Sequence, residues 1–219
     1  MLSLAEELLL VALHDERGAV VPAATLSLGS GLAAAVLMDL SLRGRLLVEG
    51  RHLLVNAAAP AGDTVLDLVL ARMRHAPKRS IAYWLGDLAD TALDVRGRLL
   101  DRLVRRRVLT KEERAMGAVF PQNDAAPERD VRRRVREALS GDAPVDARTR
   151  MLIVLLDSCD LIDQVVEPSQ RAAASKRARA VGDESGISEA VHELVDGAAQ
   201  RQMTLRQLKA IQSAIKRMP

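Results

Sequence analysis

The chain has 219 residues, of which 48% are hydrophobic and only 1% aromatic, with a formal net charge of +3. A core of aliphatic side chains favours helix-on-helix packing over a β-sandwich, and this length can bury a sizeable core. The modest charge and scarce aromatic residues argue against nucleic-acid binding, and a single cysteine, Cys159, excludes a disulfide framework. We therefore predict a mainly α-helical domain with a hydrophobic helix-bundle core, surrounding amphipathic helices and one or two short β-hairpins.

The N-terminus and the hydropathy pattern predict a cytoplasmic protein. Glu6 and Glu7 stand where a signal peptide would carry positive charge, and no apolar run approaches the roughly 18 residues that cross a bilayer. The 27 arginines against 5 lysines, with abundant alanine, leucine, valine and aspartate, indicate a GC-rich bacterial genome. If such a protein binds a membrane peripherally, we expect it on the inner face.

Two helices and a hairpin are predicted at the start of the chain. Ser3 followed by Glu6 is a capping box, and the leucine-rich run after it predicts a largely buried helix. A second helix is predicted over 28–42, with Gly44 ending it. Residues 45–55 contain two apolar runs around Gly-Arg, which predicts a short hairpin.

The middle of the chain predicts three helices and an irregular segment. Asp63 and Ser80 are N-cap candidates for two helices, and a third is predicted over 92–107. Residues 108–126 are predicted to be irregular, with a small exposed hairpin or loop at Met116–Pro121.

The last third predicts five helices. A basic helix begins at Pro127, and the most apolar one, 146–166, is expected at the centre of the bundle. Three more are predicted at 169–180, 188–199 and 203–218. We divide the chain into a domain of residues 1–200 and a basic amphipathic tail, 201–219, which has five basic and no acidic side chains. Two interpretations of the tail remain open: a helix in a membrane interface, or one that packs on the bundle or a second subunit.

No residue set predicts catalysis, a metal or a cofactor. The histidines lack metal-binding spacing, and no glycine-rich phosphate loop or nucleophile elbow occurs. Three aspartates at three-residue spacing would share one side of the 146–166 helix, where pairing with arginine is commoner than a cation site or acid/base chemistry: Asp157, Asp160 and Asp163.

Arginine clusters are the remaining chemical feature. A convergent set of guanidinium groups could hold a phospholipid headgroup or a nucleic-acid backbone. The alternative is a solvated face paired with local acids such as Asp94 and Asp101. The clustered residues are Arg96, Arg98, Arg102, Arg105, Arg106 and Arg107 on one predicted helix, and Arg132, Arg133, Arg134 and Arg136 on another.

Several short sequence blocks occur in the same order as in a known protein family. They are Leu4–Leu10, Ser30-Gly31-Leu32 followed by Leu42–Leu46, Gly62–Asp67, Val95–Leu99 followed by Val108–Thr110, Leu152–Val166 and Lys176–Arg179. Together they resemble the Golgi phosphoprotein 3 family over about 2–198. The Leu-Arg-Gly-Arg-Leu block after a helix is the most specific.

The resemblance implies an α-helical domain with a hydrophobic four-helix core. It also implies non-enzymatic peripheral membrane binding through phosphatidylinositol 4-phosphate and, in eukaryotes, an adaptor role in retaining Golgi glycosyltransferases. The family's headgroup pocket has a tryptophan and three basic residues, at positions that correspond here to Ala24, Ala33, Leu93 and Arg96. Only Arg96 is retained, and one guanidinium cannot neutralise a phosphomonoester plus a phosphodiester, so the pocket is degenerate.

The resemblance also implies a projecting hairpin that serves membrane insertion and self-association. It would lie near Met116–Pro121, with Val119 and Phe120 as candidate tips. We expect Arg96, with Arg98 or an arginine from another helix, to form a residual site for an anionic phospholipid headgroup, with phosphatidylinositol 4-phosphate as one candidate. A homo-oligomer is a further expectation. The competing interpretation is a soluble helical scaffold or protein-interaction module that does not bind lipid.

Overall fold

The computed structural model of the chain describes residues 1–56, 59–90, 93–115, 117–141 and 144–183. Within these ranges the chain forms eight α-helices and two small antiparallel sheets, which confirms the predicted mainly α-helical class. None of the helices in these ranges has the length and apolarity needed to cross a membrane. The helices predicted at 188–199 and 203–218, and with them the basic tail, lie outside the described residues.

The helices are α1 (Leu4–Ala12), α2 (Leu28–Leu42), α3 (Thr64–His75), α4 (Ile81–Ala89), α5 (Val95–Arg105), α6 (Ala126–Ser140), α7 (Ala147–Ser158) and α8 (Arg171–Asp183). Three strands form one antiparallel sheet in the order β1 (Leu46–Glu49), β2 (His52–Val55), β3 (Arg79–Ser80). A separate hairpin consists of β4 (Glu112–Arg114) and β5 (Gly117–Val119).

The centre of the core is formed by α1 and α2. All nine residues of α1 are buried: seven of them are apolar, and the other two are Glu6 and Glu7. The predicted capping box begins this helix: Ser3 Oγ accepts a hydrogen bond from the Glu6 N–H at 3.2 Å, and Glu6 Oε2 accepts one from the Ser3 N–H at 2.8 Å. Helix α2 is also mostly buried and contacts α1, α4, α5 and α7. The central position expected for the 146–166 helix is therefore shared, with α7 packed against both α1 and α2.

The helix predicted over 146–166 is wrong in its C-terminal half, because α7 ends eight residues earlier. The end is a Schellman turn, in which Asp160 has φ +56° and the Leu161 N–H donates to the Leu156 carbonyl at 2.8 Å. Aspartate tolerates this left-handed conformation, so the turn forms without the glycine that usually signals it. The shared helical side expected for three aspartates does not exist, since two of them follow the helix: Asp157, Asp160 and Asp163.

The predicted hairpin at 45–55 is confirmed as β1 and β2, with Glu49 paired to His52 on either side of a two-residue turn. Strand β3, which sequence did not predict, pairs with β2 and leaves β1 at the outer edge. Two consecutive apolar side chains of β1 are exposed: Leu47 by 51% and Val48 by 62%.

The second hairpin lies in the segment predicted to be irregular, and its tip is not where we expected. Arg114 pairs with Gly117 next to the turn, whereas Val119 pairs with Glu112 at the base. Phe120 follows the strand, packs against the core and donates its N–H to the Gly18 carbonyl at 2.9 Å. A Cβ atom on Gly18 would lie 2.1 Å from the Phe120 backbone, so the close approach requires glycine. The placement of Val119 and Phe120 at the tip is therefore wrong, and their role in membrane contact or self-association stays a prediction.

Candidate functional site

The groove that contains Arg96 lies between the start of α2, the end of α4 and the start of α5. Its volume is ≈ 400 Å³. Apolar side chains such as Leu28 and Leu88 form much of its wall. The ionisable side chains along it are few: Asp90, Asp94 and Arg96.

The start of α5 is fixed by a tight cap. Asp94 has φ +44°, and its Oδ1 accepts a hydrogen bond from the Gly97 N–H at 3.1 Å. A Cβ atom on Gly97 would lie 2.2 Å from Asp94 Oδ2, so the carboxylate can cap the helix in this way only over a glycine. The glycine of the Val-Arg-Gly-Arg-Leu block is thereby explained, and the cap places Arg96 in the first turn of the helix.

Arg96 makes no ion pair with any residue that the structure describes. Although the side chain as a whole is exposed, the protein atoms around the guanidinium lower its pKa from the usual value, and the Asp94 carboxylate opposes this by raising it. An arginine remains protonated at neutral pH, so Arg96 brings one full positive charge to the groove. Asp90 and Asp94 lie along the same groove, and their negative charges weaken its attraction for anions.

Arg98 does not join Arg96. Residues two apart on an α-helix point in nearly opposite directions, and Arg98 Nε donates to the Leu93 carbonyl at 2.9 Å on its own side of α5. Among the described residues, no second arginine lines the groove. Among these residues the structure brings neither Arg98 nor an arginine from another helix to the Arg96 groove, and a joint headgroup site stays a prediction.

The other positions that correspond to the family's headgroup pocket carry no chemistry for phosphate. Ala24 and Ala33 are fully buried in the core. Leu93 is partly buried and lies beside Tyr83 and Trp84, in a different depression from the Arg96 groove. All three side chains are apolar, so none of them can donate a hydrogen bond to a phosphate.

Two other arginines, Arg102 in α5 and Arg106 just after it, form ion pairs that stabilise the fold. Arg102 Nε donates to Glu6 Oε1 at 2.8 Å, and its Nη1 donates to Asp63 Oδ2 at 2.7 Å. Its Nη2 donates to Ser3 Oγ at 3.1 Å, and Arg106 approaches the same Glu6 oxygen at 3.5 Å. Helix α5 is thus tied to the N-terminal caps of both α1 and α3.

Arginines of α6 and α7 pair in the same way with buried acids. Arg134 contacts Glu7 at 2.7 Å, while Arg148 contacts Glu7 at 3.3 Å and Asp39 at 3.2 Å. Sequence reasoning missed this network because its partners are far apart, Arg134 and Glu7 by 127 positions. The signal was present in the acids, since carboxylates inside apolar helices require buried cations.

The alternative of local pairing is correct for part of α6. Arg132 pairs with Glu128 at 2.5 Å, and Arg133 pairs with Asp130 at 3.3 Å. Burial raises the pKa of the Glu128 carboxyl, and the Arg132 charge opposes this effect. In the described ranges, histidine, cysteine and acidic side chains form no group of three or more that could hold a metal ion.

The Golgi phosphoprotein 3 (GPP34) family model matches residues 4–198. The chain belongs to this family. The match extends from the first residue of α1 past the last described residue, and it includes the Arg96 groove and both hairpins. It confirms the resemblance carried by the sequence blocks.

Proposed function

We propose that this member of the Golgi phosphoprotein 3 family is a non-enzymatic peripheral membrane protein that binds an anionic phospholipid headgroup at Arg96. The observation that carries the proposal is that the Arg96 side chain is exposed and has no ion-pair partner among the described residues. Arg96 is also the one basic residue of the family's pocket that the sequence retains. Other arginines, such as Arg102 and Arg148, are occupied by buried carboxylates.

The charge in the groove favours a simple headgroup. One guanidinium matches a phosphodiester, whose charge is −1. The headgroup of phosphatidylinositol 4-phosphate adds a phosphomonoester, with roughly −1.5 to −2 more at neutral pH by analogy with phosphorylated side chains. Because Asp90 and Asp94 share the groove, we expect weak binding that salt suppresses and little preference for the phosphoinositide.

The proposed setting is the cytoplasm and the inner membrane face of a bacterium. A bacterial source has no Golgi, so retention of Golgi glycosyltransferases is not carried over to this chain. From the family we propose for this chain only the role of an adaptor-like, lipid-binding module without catalysis.

Co-sedimentation with vesicles tests the proposal. Neutral phosphatidylcholine vesicles are compared with vesicles that also contain phosphatidylglycerol or phosphatidylinositol 4-phosphate, at low and high salt. The test variant is Arg96→Gln. The matched control is Arg105→Gln, which removes the same charge from the same helix, where Arg105 only bonds the Asp101 carbonyl at 3.4 Å.

The wild-type protein should sediment with both kinds of anionic vesicle at low salt. Arg96→Gln should weaken this binding about fivefold, which corresponds to about 1 kcal/mol for one basic residue at a membrane surface. Arg98→Gln and Arg105→Gln should have much smaller effects. Equal losses in all three variants would mean that diffuse charge, not a site, attracts the lipid.

Two other results would contradict the proposal in different ways. If the wild-type protein does not distinguish anionic from neutral vesicles even at low salt, the soluble scaffold without lipid binding is the better interpretation. If phosphatidylinositol 4-phosphate is bound tightly and stereospecifically, the degenerate pocket is the wrong description.

A further inference from the structure

The outer edge of the first sheet has no partner strand among the described residues, and it carries exposed apolar side chains. Strand β1 pairs with β2 on one side, and no described strand pairs with its other side. Leu47 and Val48 point to opposite faces of this edge strand, and both are more than half exposed. Natural edge strands are usually protected by short length, charged side chains, proline or a bulge, and β1 has only its short length and the charge of Glu49.

The register of the hairpin determines which backbone groups are free. The Asn56 N–H donates to the Arg45 carbonyl at 2.9 Å, and Glu49 pairs with His52 beside the turn. Hydrogen-bonded residues alternate along an antiparallel strand, so residues 45, 47 and 49 face β2. The N–H and C=O groups of Leu46 and Val48 therefore point to the open edge.

These features lead us to propose that β1 pairs antiparallel with β1 of a second copy of the chain, about a two-fold axis at Leu47. In this register Leu46 lies opposite the partner's Val48, so that both outward-facing residues exchange hydrogen bonds with the other strand. Leu47 lies opposite its own counterpart, and the two three-stranded sheets become one six-stranded sheet.

Charge complementarity selects this register. It places Arg45 of each strand directly opposite Glu49 of the other, on the same face of the sheet, where opposite charges stabilise the pairing. The next symmetric register, with the axis at Val48, would place Arg45 opposite the partner's Arg51, and two like charges would repel. Glu49 already contacts Lys78 within its own chain, so in the dimer it would bridge two cations.

Because β1 has only four residues, the interface is small, and we expect a weak dimer whose population rises with protein concentration.

Cysteine cross-linking tests the register. A Leu47→Cys variant places two thiols opposite each other at the axis, within the range in which a disulfide forms. Val48→Cys is the matched control, since Val48 is more exposed but lies two positions from its own counterpart across the axis. Under mild oxidation Leu47→Cys should form a covalent dimer several times faster than Val48→Cys, while the native Cys159 should not react because it is fully buried.

A charge exchange provides the second test, by sedimentation velocity over a range of concentrations. Arg45→Glu should shift the protein to monomer, and the double variant Arg45→Glu with Glu49→Arg should restore the dimer. Equal cross-linking of the two cysteine variants, or no rescue by the double variant, would overturn the register. A wild-type protein that stays monomeric, with no cross-linking of Leu47→Cys, would overturn the dimer. The dimer would also be overturned if the protein were monomeric and Leu47→Asp weakened its binding to vesicles, because β1 would then contact lipid and not a second copy.

Discussion

Replacing Arg102 by alanine should break the strongest link between α5 and the N-terminal ends of α1 and α3. The side chain is only 14% exposed and donates hydrogen bonds to three acceptors: Glu6, Asp63 and Ser3. Ser3 caps α1 and Asp63 caps α3, so the same guanidinium supports two helix starts. Its loss therefore affects the fold at two places at once.

The expected loss of stability is set by the buried Glu6 carboxylate, which loses the charge of Arg102. Removing one partner of a buried ion pair costs about 3–5 kcal/mol, because the other charge remains buried without compensation. Glu6 is 1% exposed, but it keeps the hydrogen bond from the Ser3 N–H at 2.8 Å and the contact with Arg106 at 3.5 Å. We therefore expect a loss in the free energy of unfolding near the lower limit, about 3 kcal/mol.

Urea unfolding followed by far-UV circular dichroism measures this loss. Arg105→Ala is the control, because it removes an exposed arginine of the same helix and should cost less than about 0.5 kcal/mol. If Arg102→Ala costs less than about 1 kcal/mol more than this control, the network contributes little and the reasoning from buried charge is wrong.

The cost should also depend on pH. Burial raises the pKa of Asp63, but hydrogen bonds from Arg102 and from the Leu66 and Val65 N–H groups outweigh it, so the pKa lies below its usual value. A carboxyl with a lowered folded-state pKa stabilises the fold above its unfolded-state pKa, and this contribution disappears as pH falls through the folded-state value. The difference between wild type and Arg102→Ala should therefore shrink in acid, whereas a pH-independent difference would contradict the ion-pair explanation.

Three further predictions concern separate parts of the fold. Leu155→Ala, at a fully buried position of α7, should lower the free energy of unfolding by about 2–5 kcal/mol in the same urea assay, and a loss below 1 kcal/mol would contradict its place in the core. Gly97→Ala should lower the free energy of unfolding by up to about 1 kcal/mol, because the new methyl group displaces the Asp94 carboxylate from its capping position. In an Asp94→Ala background, which has no cap to lose, the same substitution should raise the free energy of unfolding, because alanine has the better helix propensity. Burial raises the pKa of Glu128, so protonation of this carboxyl stabilises the folded state. This contribution to the free energy of unfolding is complete below the unfolded-state pKa and is lost as pH rises through the folded-state pKa. Glu128→Gln should therefore remove this loss of stability, as measured by thermal unfolding from acid to neutral pH.

The sequence by itself predicted the features that depend on residues close together in the chain. The capping box at Ser3 and Glu6, the caps at Asp63 and Ser80, and the hairpin around Gly50 all arise from contacts within a few positions, and all are present in the structure. The ordered blocks likewise indicated the family, which the match to residues 4–198 confirms. Helical spacing alone places Arg96 and Arg98 on different sides of α5, although we expected the two side chains to act together.

Only the tertiary structure decided which charges are paired and where apolar segments stop. Helix α7 ends at Ser158, and the left-handed Asp160 turns the chain so that Leu161 and Ile162 are buried in the core without continuing the helix that their apolar pattern suggested. The arginine-rich helices looked like a surface for anions, but Glu6 and Glu7 are buried among leucines, and a buried carboxylate is stable only beside a cation. Ion pairs form between groups that the fold brings close in space, at any separation in sequence, so the sequence alone did not show that Arg102 and Arg148 pair with buried acids while Arg96 has no ion pair among the described residues.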